Sequence, residues 1–404
     1  MALLHIPLDQ ITEQNVLDLI DAKAAETHVI EYKRDTYGNA YKDYSEFLAD
    51  VSSLANTSGG DLIIGIDAPN GIPDKPTPFS NNFDDEILRL ENIARGGLQP
   101  RISLSSRAVP TKGGHFLILR VARSYNPPHR IIRENSNRFW ARSSAGKYEP
   151  NVDELRNLFL LAPRIADRTR DFRIGRLARI AAGDAPVTLM YPDVLVVHVV
   201  PFSAFDRDPV LPMAELQQNY NAFCPIGSRS SMAIKINFDG LLTMSNGDRS
   251  KGVERAYVQL FRGGIVEAVD SLYVRASGEP LIPVSEKDRT IISNSMRLMR
   301  DLSEIKVDPP YAVLVSFLTP ERGRFNFTPV GSESAYYDFM GSYTDRAQYD
   351  FKEVIFDRVP ADFSACASLM KPSLDQVAHA GGAPASPSFN KDGAFYPPPI
   401  TKQT

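Results

Sequence analysis

The chain has 404 residues, of which 43% are hydrophobic, so it is long enough to bury a sizeable core and to form two or three domains. No apolar run approaches the roughly 18 residues that span a bilayer, and the start MALLHIPLDQ lacks the basic and apolar regions of a signal peptide, so we expect a cytoplasmic protein without a membrane segment. The formal net charge of −4 argues against a nucleic-acid binder, unless basic residues are concentrated in one region.

The first 160 residues have the pattern of one α/β unit. Helices are predicted for TEQNVLDLIDAK, with Thr12 as N-cap, and for KDYSEFLADVSSLANTSGG, whose apolar residues share one face. Strands are predicted for THVIEYK and for DLIIGID, a nearly continuous apolar run typical of a strand buried on both faces. The helix FDDEILRLENIA, the hairpin of RISLSSRAV and HFLILRVA around Lys-Gly-Gly, the short strand NRFWAR and the helix VDELRNLFLL follow.

The rest of the chain predicts a second domain of mixed type. RIADRTRDFRIGRLARIAAG is predicted to form an arginine-rich connecting helix over 163–184. Strands at PDVLVVHVV, SMAIKINF, RAYVQLFRGGIVEAV and YAVLVSFL, with a helix at DRTIISNSMRLMRDLSEI, predict an α+β domain over 185–380. Residues 381–404 are rich in Gly, Pro, Ala and Ser, and we expect a disordered tail. Cys224 and Cys366 have no partner spacing and are predicted to be buried thiols.

Basic residues are concentrated in the part of the first unit that begins at Arg95. Between Arg95 and Lys147 the only acid is Glu134. This bias is typical of a surface that binds the phosphate backbone of a nucleic acid. The alternative is that these arginines pair with carboxylates, as Arg173 and Arg176 of the connecting helix are placed to do. We predict RNA contacts from the following residues: Arg120, Arg123, Arg130, Arg133, Arg138, Arg142 and Lys147.

Acidic residues mark the predicted strands of the first unit. In a strand over 27–33, Glu31 and Lys33 point to the same face, and Glu26 joins them only if the chain turns just before the strand. Asp61 and Asp67 lie at opposite ends of the next predicted strand, so at most one of them belongs to the same site as Glu31. We choose Asp67, which lies at the carboxyl end of that strand. Clustered carboxylates favour a hard cation such as Mg²⁺ or Mn²⁺. A solvated turn residue is the alternative for Glu26.

ETHVIEYK followed by LANTSGGDLIIGID resembles the Schlafen AlbA-type domain, also called the divergent AAA-associated domain. The resemblance continues through SYNPPHRI and NRFWARSSAGKYEPN and covers about residues 10–160. It implies an N-terminal α/β domain with a mixed sheet over residues 1–162, within an α+β chain. In nuclease members of the family, three acids bind metal and cleave transfer or ribosomal RNA. Glu26 and Glu31 match the first two acids, and Asp67, followed here by Ala68, is the candidate for the third.

The resemblance implies a metal-dependent endoribonuclease that acts on RNA of the tRNA or rRNA class, in bacterial stress response or phage defence. Glu26, Glu31 and Asp67 would hold Mg²⁺ or Mn²⁺, and Lys33 would stabilise charge on the phosphate. Vertebrate nucleases of the family enclose RNA between two copies of the domain, whereas this chain has one copy, so a homodimer is predicted. The alternatives are a nucleic-acid-binding regulator without cleavage and, third, a nucleotide (ATP)-binding protein.

Two features point away from a nucleotide-binding loop and from other catalytic sites. ANTSGG lacks the GxxxxGK[ST] pattern, and its glycines follow a helix rather than precede one, so a helix end with a tight turn explains them better. Trp140 is predicted to be a core residue, and His115 and His129 are isolated.

Overall fold

The computed structural model describes residues 3–80, 82–133, 136–205, 211–231, 233–245, 247–248, 250–272, 281–322, 326–328 and 345–396. The chain divides into two units, Met1–Arg164 and Ile165–Thr404. The described helices include none that is both long enough and apolar enough to cross a membrane.

The first unit alternates helices with short strands. Its elements are α1 (Glu13–Asp21), β1 (Ile30–Lys33), α2 (Tyr41–Asn56), β2 (Gly60–Ile64), β3 (Ile66–Asp67), β4 (Lys75–Pro76), α3 (Phe83–Gly97), β5 (Leu98–Gln99), β6 (Leu104–Thr111), β7 (Gly114–Val121), β8 (Arg130–Ile131), β9 (Ala141–Ser143), β10 (Gly146–Tyr148) and α4 (Val152–Phe159). Thr12 caps α1, as predicted, because its hydroxyl accepts a hydrogen bond from the backbone N–H of Asn15.

The main sheet of this unit is mixed, which confirms the predicted fold class. Its strand order is β1-β2-β7-β6, with β1 and β2 parallel and the other pairs antiparallel. Alternate residues of β2 face opposite layers: Leu62 and Ile64 pack with apolar residues of α2 and α3, whereas Ile63 packs with residues of α1. The sheet is therefore covered on both faces.

The strand predicted over DLIIGID is interrupted, which corrects the sequence-based boundary. Gly65 adopts a positive φ of 107°, and the chain leaves the main sheet there. Beyond it, β3 pairs with β4, where Asp67 lies opposite Lys75. Asp61 and Asp67 therefore belong to different sheets rather than to one continuous strand.

The second unit is built on one large antiparallel sheet. The elements are α5 (Leu161–Ala181), which begins at the end of the first unit, β11 (Val194–Pro201), α6 (Met213–Leu216), β12 (Ala233–Ile236), β13 (Gly240–Met244), β14 (Ala256–Phe261), β15 (Val266–Ser271), β16 (Leu281–Pro283), α7 (Val284–Glu304), β17 (Tyr311–Leu318), β18 (Asn326–Thr328), β19 (Gln348–Asp350), β20 (Val354–Phe356) and α8 (Phe363–Ala380). The order is β12-β13-β14-β15-β11-β17-β19, and β20 also pairs with β17.

Helices cover both faces of this sheet. On β11, Leu195 and Val197 belong to the core formed with α7 and α8, whereas Val194 and Val196 belong to the core formed with α5. Cys224 and Cys366 are buried free thiols, which confirms the prediction for both.

The predicted connecting helix is α5, and two of its arginines, Arg173 and Arg176, turn inward. Both Nε and Nη2 of Arg176 lie 2.8 Å from the carboxylate of the buried Glu267, which also accepts from His198 and Tyr257. Arg173 donates to the carbonyl of Val315 at 2.7 Å. For Arg173 and Arg176 the internal-pairing alternative is therefore confirmed.

The predicted disordered tail begins at Gly381, but residues 381–396 pack against α7 and α8 of the second unit. Ser388 is buried, and its hydroxyl donates to Asp288 of α7 at 2.8 Å. The ring of Phe395 lies 4.9 Å from that of Phe363, at the start of α8. The composition misleads here because two serines and two aromatic residues supply the contacts; residues 397–404 lie outside the described part of the chain.

Candidate functional site

Strand β1 places its two charged residues on the face that meets α2. Lys33 Nζ lies 2.9 Å from Glu31 Oε1, while Ile30 and Tyr32 pack with the residues of α1 on the other side. The predicted alternation of β1 is confirmed. Because this face is buried, each charged group there needs a partner of opposite sign.

These partners form a compact cluster, which we call the ion-pair cluster. It consists of Glu31, Lys33, Glu46, Asp50, Arg142 and Lys147. Arg142 Nη2 donates to Glu31 Oε2, Lys33 Nζ lies 3.1 Å from Glu46 and 3.3 Å from Asp50, and Lys147 Nζ lies 2.7 Å from Asp50. Three carboxylates thus meet three cations.

Asp50 lies at the centre of this cluster, and the sequence interpretation missed it. Asp50 is completely buried. In addition to its contacts with Lys33 and Lys147, its carboxylate accepts a hydrogen bond from the Tyr37 hydroxyl at 2.7 Å. A signal was present: Asp50 follows Phe47 by three residues and precedes Leu54 by four, so it falls on the apolar face of α2. An acid on such a face requires a cation nearby.

The end of α2 fixes the chain that carries Arg142. The Asn56 side chain donates to the carbonyls of His129 (3.2 Å) and Trp140 (2.9 Å) and accepts from the backbone N–H of His129 (2.7 Å). The Thr57 hydroxyl accepts from the backbone N–H of Arg142 at 3.0 Å. We call these contacts the backbone clamp. They bring Arg142 to Glu31, which is 111 residues away in sequence.

The glycines of ANTSGG complete the helix end, as predicted. Gly59 has a φ of 72°, and its N–H donates to the Leu54 carbonyl at 2.8 Å. A Cβ at this position would lie 2.6 Å from the backbone N of Arg123. The close approach of the backbone at Arg123 therefore explains why residue 59 is a glycine, and phosphate binding is not needed to explain it.

Isolated histidines and the tryptophan serve packing. His129 is buried with its Nδ1 2.7 Å from the carbonyl of Pro100, and burial lowers its pKa. Trp140 packs against the core shared by α2 and α3, in agreement with the sequence-based assignment.

The charges around Lys33 and Tyr37 keep both groups in one protonation state near neutral pH. Burial alone would lower the pKa of Lys33, but the carboxylates of Asp50 and Glu31 raise it above its usual value, so this lysine stays cationic. The pKa of Tyr37 is raised by burial and by the Asp50 carboxylate, so its hydroxyl stays protonated and donates to Asp50. Neither group is suited to exchange protons near neutral pH.

The three predicted metal ligands are not grouped as a metal site in the described part of the chain. Glu26 Oε1 accepts from the backbone N–H of Tyr32 at 3.0 Å, and burial, followed by the negative charge of Glu31, raises the pKa of Glu26. Glu26 and Glu31 are therefore close, but Asp67 lies on β3, with its Oδ2 3.6 Å from Lys75 Nζ. Within the described residues, no three His, Cys, Asp or Glu side chains are grouped as metal ligands. This arrangement does not fit a three-carboxylate Mg²⁺ or Mn²⁺ site.

The predicted RNA-binding residues separate into internal and accessible groups. Arg120 donates from Nε to Asp61 at 2.7 Å and from Nη1 to the Ile6 carbonyl at 2.7 Å, so it is part of the internal structure. Arg142 is buried in the ion-pair cluster. Arg123 is half-buried and lies 5.4 Å from the ring centroid of Tyr125. Arg120 and Arg142 are therefore internal, whereas Arg123 is half-buried, as Arg130 and Arg133 are.

The remaining four basic residues form a surface that we call the basic rim: Arg130, Arg133, Arg138 and Lys147. Arg130 donates to the Gln99 side chain at 2.9 Å, and Arg133 lies over the ring of Tyr44, 4.2 Å from its centroid. Arg138 is exposed, with Glu149 at 3.3 Å. The backbone N–H of Ile131 donates to the Arg138 carbonyl. The stretch that carries Arg130 and Arg133 therefore runs beside the stretch that carries Arg138.

In the comparisons with known proteins, one family model matches part of the chain. Residues 26–151, about a third of the chain, match the family model described as Schlafen, AlbA_2. No curated protein matches the chain. Among solved structures, the DIP2311 protein from Corynebacterium diphtheriae is 15% identical with a TM-score of 0.25, over 36% of this chain and 28% of that chain. The N-terminal domain of a putative ATP-dependent DNA helicase RecG-related protein from Nitrosomonas europaea is 22% identical with a TM-score of 0.24, over 28% of this chain and 75% of that chain. The chain thus spans less than a third of the DIP2311 protein.

Proposed function

Because residues 26–151 carry a Schlafen AlbA_2 domain, we propose that the first unit binds RNA through the basic rim. The domain supports a nucleic-acid-related function in general. The observation that carries the specific proposal is the partial or full exposure of Arg130, Arg133 and Arg138 on a single segment, next to a cluster whose charges balance when Lys147 is counted in it. A phosphate backbone would meet an excess of positive charge there.

Two members of the rim, Arg138 and Arg133, have capacity for a phosphate. The pair between Arg138 and Glu149 joins side chains that are 65% and 54% exposed, so it is weak and can exchange for a phosphate oxygen. Arg133 lies over the Tyr44 ring, 4.2 Å from Cζ to the centroid, and a guanidinium stacked on a ring keeps its N–H donors for other partners. Bidentate contacts from such donors suit phosphate groups.

Charge reversal tests the rim. Replacing Arg130, Arg133 and Arg138 together with Glu is expected to weaken RNA binding by at least tenfold, because three phosphate contacts are lost and repulsion is introduced. The slope of log Kd against log salt concentration should fall by about 2, at roughly 0.7 for each single-stranded contact. Fluorescence anisotropy with a labelled oligoribonucleotide at several salt concentrations measures both quantities.

A second triple variant separates local contacts from net charge. Arg170, Lys251 and Arg346 are exposed residues of the second unit, and their reversal to Glu changes the net charge by the same amount. We expect this variant to keep the salt slope of the unmodified protein. Equal losses in both triple variants would show that overall charge, and not the rim, governs binding.

A second candidate function is metal-dependent endoribonuclease activity, as the family resemblance implies. The observation that favours it is the proximity of Glu26 and Glu31: burial first, and then the negative charge of Glu31, raise the pKa of Glu26, and a cation would relieve the repulsion between the two carboxylates. The contact of Asp67 with Lys75, and the lack of a group of three metal-ligand side chains among the described residues, weigh against it. Binding without cleavage is therefore the function that the geometry supports best, and the tRNA or rRNA class of target, a homodimer with two facing rims and a part in stress response or phage defence remain further proposals.

Glu26 is the residue that tests the nuclease candidate. Glu26→Gln removes one carboxylate of the pair and leaves the Glu31–Arg142 contact in place, so folding should be preserved. If the pair acts in catalysis, Mn²⁺-dependent cleavage of total RNA by the purified protein disappears in this variant, while the Kd for RNA changes less than twofold. Absence of cleavage by the unmodified protein in Mg²⁺ and Mn²⁺ would decide for binding alone.

A further inference from the structure

We propose that Asp50 is a positioning residue that holds Lys147 in place to contact a phosphate of the bound RNA. This inference rests on the proposed function. Asp50 is completely buried in α2, and its Oδ1 lies 2.7 Å from Lys147 Nζ. Its Oδ2 accepts from the Tyr37 hydroxyl at 2.7 Å, which fixes the carboxylate from the other side.

The two lysines of the ion-pair cluster differ in what they can still bind. Lys33 Nζ contacts Glu31, Glu46 and Asp50, at 2.9, 3.1 and 3.3 Å, so its three donors all have carboxylate partners. In the described part of the chain, the carboxylate that pairs with Lys147 is that of Asp50. Two of the three donors of Lys147 are thus left for a phosphate, and its side chain is 28% exposed.

Register in the β9–β10 hairpin supports this assignment. Lys147 lies directly opposite Arg142, so the two side chains leave the hairpin on the same side. Arg142 is fixed by Glu31 and by the Thr27 carbonyl, whereas Lys147 has Asp50 as its anchor. An unanchored lysine would sample many rotamers, and ordering it on binding would oppose association.

The test depends on the direction of the effect. Removing an acid from beside a phosphate-binding surface strengthens binding if only long-range charge matters. For Asp50→Asn we expect the opposite: a three- to tenfold weaker Kd and a salt slope lower by about 0.7, because one phosphate contact is lost. Anisotropy with the same oligoribonucleotide measures both, with the fraction of folded protein determined by circular dichroism.

Glu46→Gln is the matched control. Glu46 lies one turn before Asp50 on α2, its side chain is 43% exposed, and it contacts Lys33 rather than Lys147. The same acid-to-amide change there should leave binding unchanged or slightly tighter. A thermodynamic cycle with Lys147→Met adds a second readout: if Asp50 acts through Lys147, Asp50→Asn has no further effect on Kd in the Lys147→Met background.

The outcomes separate this inference from the proposed function. If the unmodified protein binds no RNA, the proposed function fails. If the unmodified protein binds but Asp50→Asn binds equally well or better with the same salt slope, the positioning role is overturned and the proposed function stands. Should Asp50→Asn not fold, Tyr37→Phe tests the same point, because it loosens Asp50 without changing charge; an unchanged Kd in that variant would likewise overturn the role.

Discussion

Glu31→Ala is expected to lower the free energy of unfolding of the first unit by about 3–5 kcal/mol, the loss typical of breaking a buried ion pair from one side. Arg142 is only 4% exposed, and Glu31 is its carboxylate partner among the described residues. Its Nη1 already lacks a hydrogen-bond partner there. Removing Glu31 would leave a buried guanidinium with the Thr27 carbonyl as its main acceptor.

Arg142→Leu should be less damaging, at about 1.5–3 kcal/mol, the range for a lost hydrogen bond to a charged group. Glu31 would retain Lys33 at 2.9 Å, so its carboxylate would not be left unpaired. We therefore also predict the order of the two variants. Glu31→Ala lowers the free energy of unfolding more than Arg142→Leu does, although both variants break the same contact.

Urea unfolding followed by tryptophan fluorescence measures these values. Trp140 is the single tryptophan of the chain and packs on the core of the first unit, so its emission reports on that unit. Glu149→Ala, which breaks the exposed pair with Arg138, is the control and should change stability by less than about 1 kcal/mol. A smaller loss for Glu31→Ala than for Arg142→Leu would refute the proposed arrangement of charges.

Rising pH should loosen residues 381–396 from α7, with an effect of about 4 kcal/mol, since one pKa unit corresponds to about 1.4 kcal/mol. Burial raises the pKa of Asp288 from 3.8 to about 7, against the opposing effect of hydrogen bonds from Ser386 and Ser388, and Asp375 raises it further. A raised pKa in the packed state means that the contribution is fully present below about 3.8 and is lost as pH rises through about 7. Above that range the contribution should be constant.

Hydrogen exchange tests this pH dependence. We expect protection factors of the backbone amides in residues 384–396, corrected for intrinsic exchange rates, to decrease between pH 4.5 and 7.5 and then to level off. Asp288→Asn keeps the shape of the side chain and cannot ionise, so protection in that variant should not change over this range. A decrease of the same size in Asp288→Asn would assign the pH dependence to another group.

Local patterns in the sequence were sufficient to predict those elements whose residues follow a strand or helix periodicity. Alternation in β1 correctly placed Glu31 and Lys33 together, and helical periodicity identified α2, including the turn at Gly59 and Gly60. The same periodicity held the clue to Asp50, which interrupts an apolar face. Both features depend on residues fewer than ten positions apart.

Pairing over long distances in sequence was beyond such patterns. The partners of Arg120 and Arg142 are Asp61 and Glu31, so composition predicted a basic surface where the fold made internal ion pairs. The packing of residues 381–396 has the same origin, because Asp288 of α7 accepts from two serines about a hundred residues later. In each case the carboxylate and its donor meet only through the tertiary fold.

The backbone clamp fixes the course of the basic segment through main-chain groups, independently of the side chains that the segment carries. Asn56 and Thr57 bind main-chain groups of His129, Trp140 and Arg142, and every residue type other than proline supplies such groups at those positions. Side chains between the clamped points can therefore be exchanged while the segment keeps its course along α2. This division makes the first unit a scaffold on which target preference can be altered, by evolution or by design, at the positions of Arg130, Arg133 and Arg138.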